Sequence, residues 1–445
     1  MSELEQNQQE RYDLTEVKTV ALVGVFPSGK DPAHCLECLS ELESLAETYG
    51  FETKKIITCP IKEFNAATYI GKGKADEIGK TLALEEIDAV IFDDEISPNQ
   101  QKNLEEIIKK PVLDRTELIL EVFAERAQTK EAMLQIELAK VKYQLPRLKR
   151  MWTHLSRQKT GGGSGGSGGG ALRGEGEKQI EVDKRLLKDR VVQLEKEIRA
   201  IKEQREIVRK SRIRTNIPTF AIVGYTNAGK STLLNALTGA DVLVEDKLFA
   251  TLDPTARKFT LPNKQGIVLV DTVGFIRKLP HTLVNAFRST LEEASFTDIL
   301  LHVIDVSHPA AIDHAETTIN VLKEIGVKDK PVITLFNKID KADCEETMVK
   351  LRLKYPKTVR ISALNRTGFD ELIDLMLSEI AKLRKVVKLR IPQSYYALAS
   401  ELMREGRVIF SDYEGNDILL EIEIPSQLEH KVAPFYDEGT PEAKS

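Results

Sequence analysis

Eight residues constrain this chain more than any others: Gly224-Tyr225-Thr226-Asn227-Ala228-Gly229-Lys230-Ser231. They follow a short apolar run, Phe220-Ala221-Ile222-Val223, and precede a helical pattern through Leu233, Leu234 and Leu237. Strand, glycine loop and helix, in that order, form the setting in which a phosphate loop works. Glycines at both ends let the backbone curl with its N–H groups turned inward at an anion, and the new helix adds its positive dipole end. Lys230 is placed to reach β- and γ-phosphates, and Ser231 to ligate Mg²⁺.

Three further motifs follow in order, each ending an apolar run. Asp271-Thr272-Val273-Gly274 closes Ile267-Val268-Leu269-Val270. An aspartate there holds Mg²⁺ through water, and the glycine leaves an N–H for the γ-phosphate. Asn337-Lys338-Ile339-Asp340 closes Val332-Ile333-Thr334-Leu335-Phe336. A carboxylate at Asp340 accepts both guanine N1–H and the 2-amino group, which adenine does not offer. Ser362-Ala363-Leu364 comes after Val359-Arg360-Ile361, with backbone N–H groups for guanine O6. Alone, the second of these motifs fits a surface turn equally well. Four in sequence imply a domain that binds GTP and GDP with Mg²⁺.

Between the loop and Asp271, the residues Phe249, Ala250, Thr251, Leu252 and Asp253 are expected to lie over the nucleotide. Thr251 resembles the second threonine of the pair found in Era/Obg-like translation GTPases, so it and Ser231 are the expected metal ligands; Thr255 is the alternative. Lys230, Thr251, Gly274 and Asn227 form the expected catalytic set. Phe275 stands where Ras-like enzymes keep a glutamine to orient water, so intrinsic hydrolysis should be slow. In related GTPases an asparagine at the position of Asn227 helps hold K⁺. The plain alternative is a residue that tolerates a tight turn.

At 445 residues the chain has room for about two to four domains. Its 41% hydrophobic and 30% charged residues fit a soluble globular protein. No apolar run approaches a membrane span, and Ser2-Glu3-Leu4-Glu5 lacks the character of a signal peptide. Four cysteines are too few for a disulfide framework. A cytoplasmic monomer without a membrane span is expected, and peripheral membrane association stays open. The net charge of −5 argues against general nucleic-acid binding, yet residues 145–159 carry Arg147, Lys149, Arg150, Arg157 and Lys159 with no acid among them. Trp152 lies in the same stretch. Basic side chains beside an aromatic pair phosphates and stack bases; the plain alternative is a solvated helix end.

Residues 1–15 and 436–445 are polar and expected to be disordered. Residues 16–114 alternate apolar strands near 20–23, 51–57, 89–92 and 112–113 with helices near 32–49, 73–84 and 98–109. That pattern gives a small α/β domain with a mainly parallel sheet. Gly24-Val25-Phe26-Pro27-Ser28-Gly29-Lys30 has phosphate-loop spacing, but Asp31 would repel phosphate, which favours a plain turn. Cys35-Leu36-Glu37-Cys38 lacks a second pair for a metal. Residues 115–214 form a long helical hairpin. Leu134, Leu138, Val141 and Leu145 make one apolar stripe; Leu187, Val191, Leu194, Ile198 and Ile201 make the other. Its tip, 160–176, contains a glycine–serine run at 161–170 that reads as a mobile loop or an engineered linker. The nucleotide domain spans 215–384, and a βαββ module spans 385–435. The fold class is therefore α/β: a P-loop GTPase domain preceded by a small α/β domain and a long antiparallel helical hairpin, followed by a small α+β module.

Several strings outside the pocket carry a family resemblance: Tyr69-Ile70-Gly71-Lys72-Gly73-Lys74, Phe92-Asp93-Asp94-Glu95-Ile96-Ser97-Pro98-Asn99-Gln100-Gln101, Val112-Leu113-Asp114-Arg115-Thr116-Glu117-Leu118, Leu145-Pro146-Arg147-Leu148 and Met151-Trp152-Thr153-His154-Leu155. With them the chain resembles HflX-type GTPases from about residue 17 to 435. It departs at the tip, where many members read RGPGETQLE and this chain has Arg173-Gly174-Glu175-Gly176-Glu177-Lys178-Gln179-Ile180-Glu181. The resemblance implies a factor that binds the large (50S) ribosomal subunit and splits or rescues stalled ribosomes. Arg147, Lys149, Arg150, Trp152, Arg157, Lys159 and Arg173 would then meet 23S rRNA. Two other readings stay open: a signalling GTPase whose hairpin docks a protein effector, and an RNA-remodelling factor with a second, N-terminal nucleotide site.

Overall fold

Val20, Ala21, Leu22 and Val23 are fully buried, as are Ala89, Val90, Ile91 and Phe92, the continuous apolar pattern of strands covered on both faces. The computed structural model describes residues 17–148, 171–213, 217–239, 248–249, 255–278, 294–327, 330–341, 345–425 and 428–436. In it these runs are β1 (Thr19–Pro27) and β3 (Ala89–Phe92), completed by β2 (Glu52–Ile61) and β4 (Val112–Asp114) into a parallel sheet of order β2-β1-β3-β4. Helices α1 (Ala33–Tyr49), α2 (Lys72–Leu84), α3 (Pro98–Ile108) and α4 (Arg115–Arg126) alternate with or follow the strands. Ser97 starts α3 with a capping box closed by Gln100, and Pro98 supplies the first helical residue. Gly24, within β1, serves packing: a Cβ there would meet Cys35 Sγ and Leu39. Cys35 and Cys38 are buried, and burial pushes the Cys35 thiol up to about 11, so both behave as inert packing groups.

The chain divides into two compact units. The first contains that sheet and most of the hairpin, built from α5 (Lys130–Gln144) and α6 (Ala171–Ile213). The two expected stripes meet in one cluster, with Leu134, Val141, Leu148, Leu187 and Leu194 buried and Leu138, Leu145, Val191, Ile198 and Ile201 packed against them. Helix α6 starts at Ala171, inside the segment expected to be a flexible tip. The good helix formers around Gly174 and Gly176 outweigh the glycine cost of roughly 1 kcal/mol each.

Arg147 corrects an expectation. It is 5% exposed and cannot meet RNA. Its guanidinium donates to the Ile96 carbonyl at 2.8 Å, to Gln101 Oε1 and the Tyr143 carbonyl at 3.2 Å, and to Asp114 Oδ2 at 3.4 Å. It also lies over the Tyr143 ring, 3.6 Å from its centroid. Asp114 in turn caps α4 through Glu117 N and accepts from Tyr143 Oη. This buried network ties the end of α5 to the sheet. Lys149, Arg150, Trp152, Arg157 and Lys159 lie outside the described residues, and so does the side chain of Arg173.

Residues on either side of the nucleotide motifs also belong to this first unit. Phe249 is buried, its ring packed edge-on against Phe123 of α4 at 4.4 Å. Arg277 pairs with Glu37 at 3.3 Å, and Lys278 pairs with Asp93 and Asp94, each at 2.5 Å. Buried Arg115 holds the other oxygen of Asp93 at 2.7 Å.

In the second unit, six strands run in the order β10-β9-β8-β5-β7-β6: β5 (Thr219–Gly224), β6 (Thr255–Thr260), β7 (Gly266–Asp271), β8 (Ile299–Asp305), β9 (Val332–Asn337) and β10 (Thr358–Arg360). Only β6 is antiparallel to its neighbour. Helices α7 (Lys230–Thr238), α8 (Ala311–Glu324), α9 (Glu345–Lys354) and α10 (Phe369–Leu383) complete this layer. Phe220, Ile222, Leu233, Leu269, Leu301 and Leu335 anchor its core. The last part is a three-stranded antiparallel sheet, β11 (Arg384–Pro392), β13 (Asp417–Pro425) and β12 (Arg407–Glu414), with α11 (Tyr396–Glu405) between β11 and β12. This is the βαββ arrangement read from the sequence.

Candidate guanine-nucleotide site

The four motifs leave the carboxyl ends of β5, β7, β9 and β10, the edge of a parallel sheet where ligands of this fold class bind. The phosphate loop turns out of β5 through Asn227, at φ +56°, and Gly229, at φ +92°. Both lie in the left-handed region, and only glycine fits the second position. A Cβ there would strike Asn337 Nδ2, which donates instead to the Ala228 carbonyl at 2.8 Å. Asn337 thus braces the loop from β9. Its Oδ1 accepts from Ala363 N at 2.9 Å, which joins the third and fourth motifs.

Lys230 opens α7 and is 6% exposed. Its ammonium donates to the Tyr225 carbonyl at 2.7 Å. Burial lowers its pKa to about 8, with Lys338 adding to the effect and Asp271 opposing it. An anion beside Lys230 would reverse that penalty, which is the electrostatic condition of a phosphate site. Ser231 Oγ donates to Asp271 Oδ2 at 2.7 Å. Two hard oxygen donors this close suit Mg²⁺, which takes few protein ligands and shares phosphate oxygens and water.

Gly274 passes close to the loop. A Cβ there would lie 2.8 Å from Thr226 Cα and 2.9 Å from Lys230 Nζ. Thr272 Oγ1 anchors the turn on the Ile222 carbonyl at 2.7 Å. Phe275, noted in the sequence for what it lacks, has a structural part. It is 1% exposed; its N–H donates to the Gly224 carbonyl at 3.1 Å and its carbonyl accepts from Thr226 N at 2.7 Å. The motif around Asp271 is thereby stitched to the phosphate loop.

At the base-recognition end, Asp340 Oδ1 accepts from Ser362 Oγ at 2.5 Å, and Ser362 Oγ accepts from Asn365 N at 3.1 Å. The Ala363 N–H donates to Asn337 Oδ1, which ties the fourth motif to the third. Leu364 is 75% exposed. Lys338, at φ +64°, pairs with Asp305 Oδ2 at 2.7 Å. The sequence reading missed Asp305. No sequence motif marks Asp305, because β8 becomes the neighbour of β9 only in the folded sheet.

The structure brings together Gly224, Tyr225, Thr226, Asn227, Ala228, Gly229, Lys230 and Ser231 with Asp271, Thr272, Val273 and Gly274, and Asn337, Lys338, Ile339 and Asp340 with Ser362, Ala363 and Leu364. Ala250, Thr251, Leu252 and Asp253 lie outside the described residues. Phe249 packs against α4, with a role in the first unit's core.

A family model described as "GTP-binding GTPase N-terminal" matches residues 37–124, one described as "GTP-binding GTPase Middle Region" matches 126–212, and one described as "50S ribosome-binding GTPase" matches 219–338. The chain is 48% identical to GTPase HflX of Chlamydia pneumoniae, over 91% of this chain and 85% of that protein. It is 41% identical to GTPase HflX of Escherichia coli, over 86% of this chain and 87% of that one. A solved structure of a GTP-binding protein from Sulfolobus solfataricus in complex with GDP is 32% identical, covering 82% of this chain and 100% of its own, with a TM-score of 0.43.

Proposed function

The chain belongs to the HflX family of GTPases and hydrolyses GTP, and from that premise we propose that it binds the large ribosomal subunit and splits or rescues stalled ribosomes. The family model spanning 219–338, described as a 50S ribosome-binding GTPase, carries the reading. The apolar seam adds to it, because a signalling role would need those residues to face a partner helix and they pack on each other. We place the protein in the cytoplasm as a monomer; no helix among the described residues is long and apolar enough to cross a membrane.

In this proposal Lys230 transfers its ammonium from the Tyr225 carbonyl to the β- and γ-phosphates. Gly274 N–H meets the γ-phosphate, and Asp340 accepts from guanine. Ser231 would hold Mg²⁺ with Asp271 behind it, and Thr251 would join from the other side; the ion would neutralise charge on the phosphate oxygens. Rearrangement at the γ-phosphate then changes affinity for the ribosome. Sedimentation of the purified protein with 50S subunits tests this: it should pellet with the non-hydrolysable GTP analogue and remain largely in the supernatant with GDP. Equal recovery in both states, or none in either, removes the ribosomal reading.

The K⁺ proposal rests on Asn227. Its left-handed backbone turns the loop beside the phosphates, where a monovalent cation would add the positive charge that Phe275 cannot supply. GTP turnover should be about tenfold faster in KCl than in NaCl, the size of a stabilisation near 1.4 kcal/mol. Matching rates in the two salts would leave Asn227 as a turn residue only.

A further inference from the structure

The backbone of Tyr225 lies where three parts of the nucleotide site meet. Its carbonyl accepts from Lys230 Nζ at 2.7 Å and from Ala228 N at 3.3 Å. The residue also pairs with Phe275 in an isolated parallel bridge. Any tilt of this peptide moves the lysine, the first turn of the phosphate loop and the loop containing Gly274. Its side chain is 6% exposed and therefore held by something.

That support comes from outside the four motifs. The His314 imidazole lies flat on the Tyr225 ring, with centroids 3.7 Å apart and planes 4° from parallel. His314 sits in the first turn of α8, where its N–H donates to the Ala310 carbonyl at 3.0 Å. A second ring beside it is that of His308, whose centroid is 4.5 Å away at 37°. His308 is fixed in turn, because its Nδ1 accepts from Ala310 N at 3.1 Å. The rings of Tyr225, His314 and His308 thus form a short pile between the phosphate loop and the helix after β8.

We propose that His314 is a positioning residue for nucleotide binding, acting through its stack on Tyr225 to hold the phosphate loop. This rests on the nucleotide-site reading above and extends it to a residue that touches neither phosphate nor base. Stacked ring pairs contribute a factor of roughly three to ten beyond simple burial. The loss should fall on nucleotide retention, since the stack supports the loop and touches no reacting group.

The test uses the full chain with His314→Ala, His314→Gln and His314→Phe. It measures release of a fluorescent GDP analogue, KM and kcat for GTP, and thermal midpoints. The alanine and glutamine variants should release GDP about fivefold faster and show a KM raised to match, with kcat within about twofold of wild type. His314→Phe, which keeps a flat ring and loses the imidazole, should restore retention. Unchanged release in the alanine and glutamine variants overturns the inference. So does a phenylalanine variant no better than alanine, because a flat ring alone should restore the stack. Lys230→Ala separates the two levels: if it binds nucleotide as tightly as wild type, the site reading falls and this inference with it. If only the His314 variants behave as wild type, the site stands without the stack.

Discussion

Asp340→Asn should lose GTP affinity by about 10³- to 10⁴-fold and gain preference for xanthosine triphosphate, a change at the scale of discrimination by buried polar groups. Ser362 Oγ donates to Asp340 Oδ1, leaving the other oxygen to accept from the base edge. Guanine presents two donors there, N1–H and the 2-amino group. An amide at this position keeps the Ser362 bond but turns its NH₂ toward those donors, leaving polar groups unpaired in a closed site. Xanthine carries a carbonyl at C2 and turns the same NH₂ into a partner. Titration calorimetry with GTP, ATP and xanthosine triphosphate reads the outcome. A loss for GTP below about tenfold, or an unchanged order among the three, would dissociate Asp340 from base selection. Ser362→Ala should give a smaller loss of the same kind, because it leaves the carboxylate present but free to rotate.

The parts legible in the sequence were those set by near neighbours along the chain. The phosphate loop, Asp271 and Asn337 each follow a run of apolar residues, and strands buried on both faces are continuous runs of this type. The hairpin seam was legible from near neighbours too: Leu134, Leu138 and Val141 repeat at helical spacing, and α6 carries a matching stripe that packs on them. What could not be read depends on partners far apart in sequence. Asp305 reaches Lys338 because β8 and β9 are adjacent in the sheet. His314 reaches Tyr225 because α8 returns toward the phosphate loop. Phe275 was judged by the chemistry of its side chain, whereas its backbone joins two motifs. Phe249 was placed over the nucleotide from its position between motifs, yet an aromatic surface on α4 takes it. Local charge alone groups Arg147 with its basic neighbours. The acid that determines its fate, Asp114, lies 33 residues earlier.

Arg147→Ala is accordingly expected to destabilise the first unit by about 3–5 kcal/mol, as removal of one partner from a buried pair does. The guanidinium satisfies Ile96, Gln101 and Tyr143 and offsets the charge of Asp114, which is fully buried. Arg147→Lys should recover only part of the loss, since one ammonium cannot serve acceptors spread around a planar fork. The pH dependence separates this account from a simple packing loss. Burial, aided by Glu117 and opposed by Arg147, raises the Asp114 pKa to about 6 from an ordinary 3.8. A carboxyl raised in the folded state contributes stability that is full below its unfolded pKa and is lost as pH rises through the folded value. Without Arg147 that folded value climbs further, so the penalty of the alanine variant should be larger at pH 8 than at pH 5. Amide hydrogen exchange in α3 and β4 reads it locally, without assuming that both units unfold together. An equal penalty at both pH values would mean that Arg147 acts through packing and not through Asp114. It also follows that weaker ribosome binding by an Arg147 variant reports damage to the buried network at the end of α5. Substitution of Lys149, Arg150, Arg157 and Lys159, the other basic residues of 145–159, is the test of RNA contact.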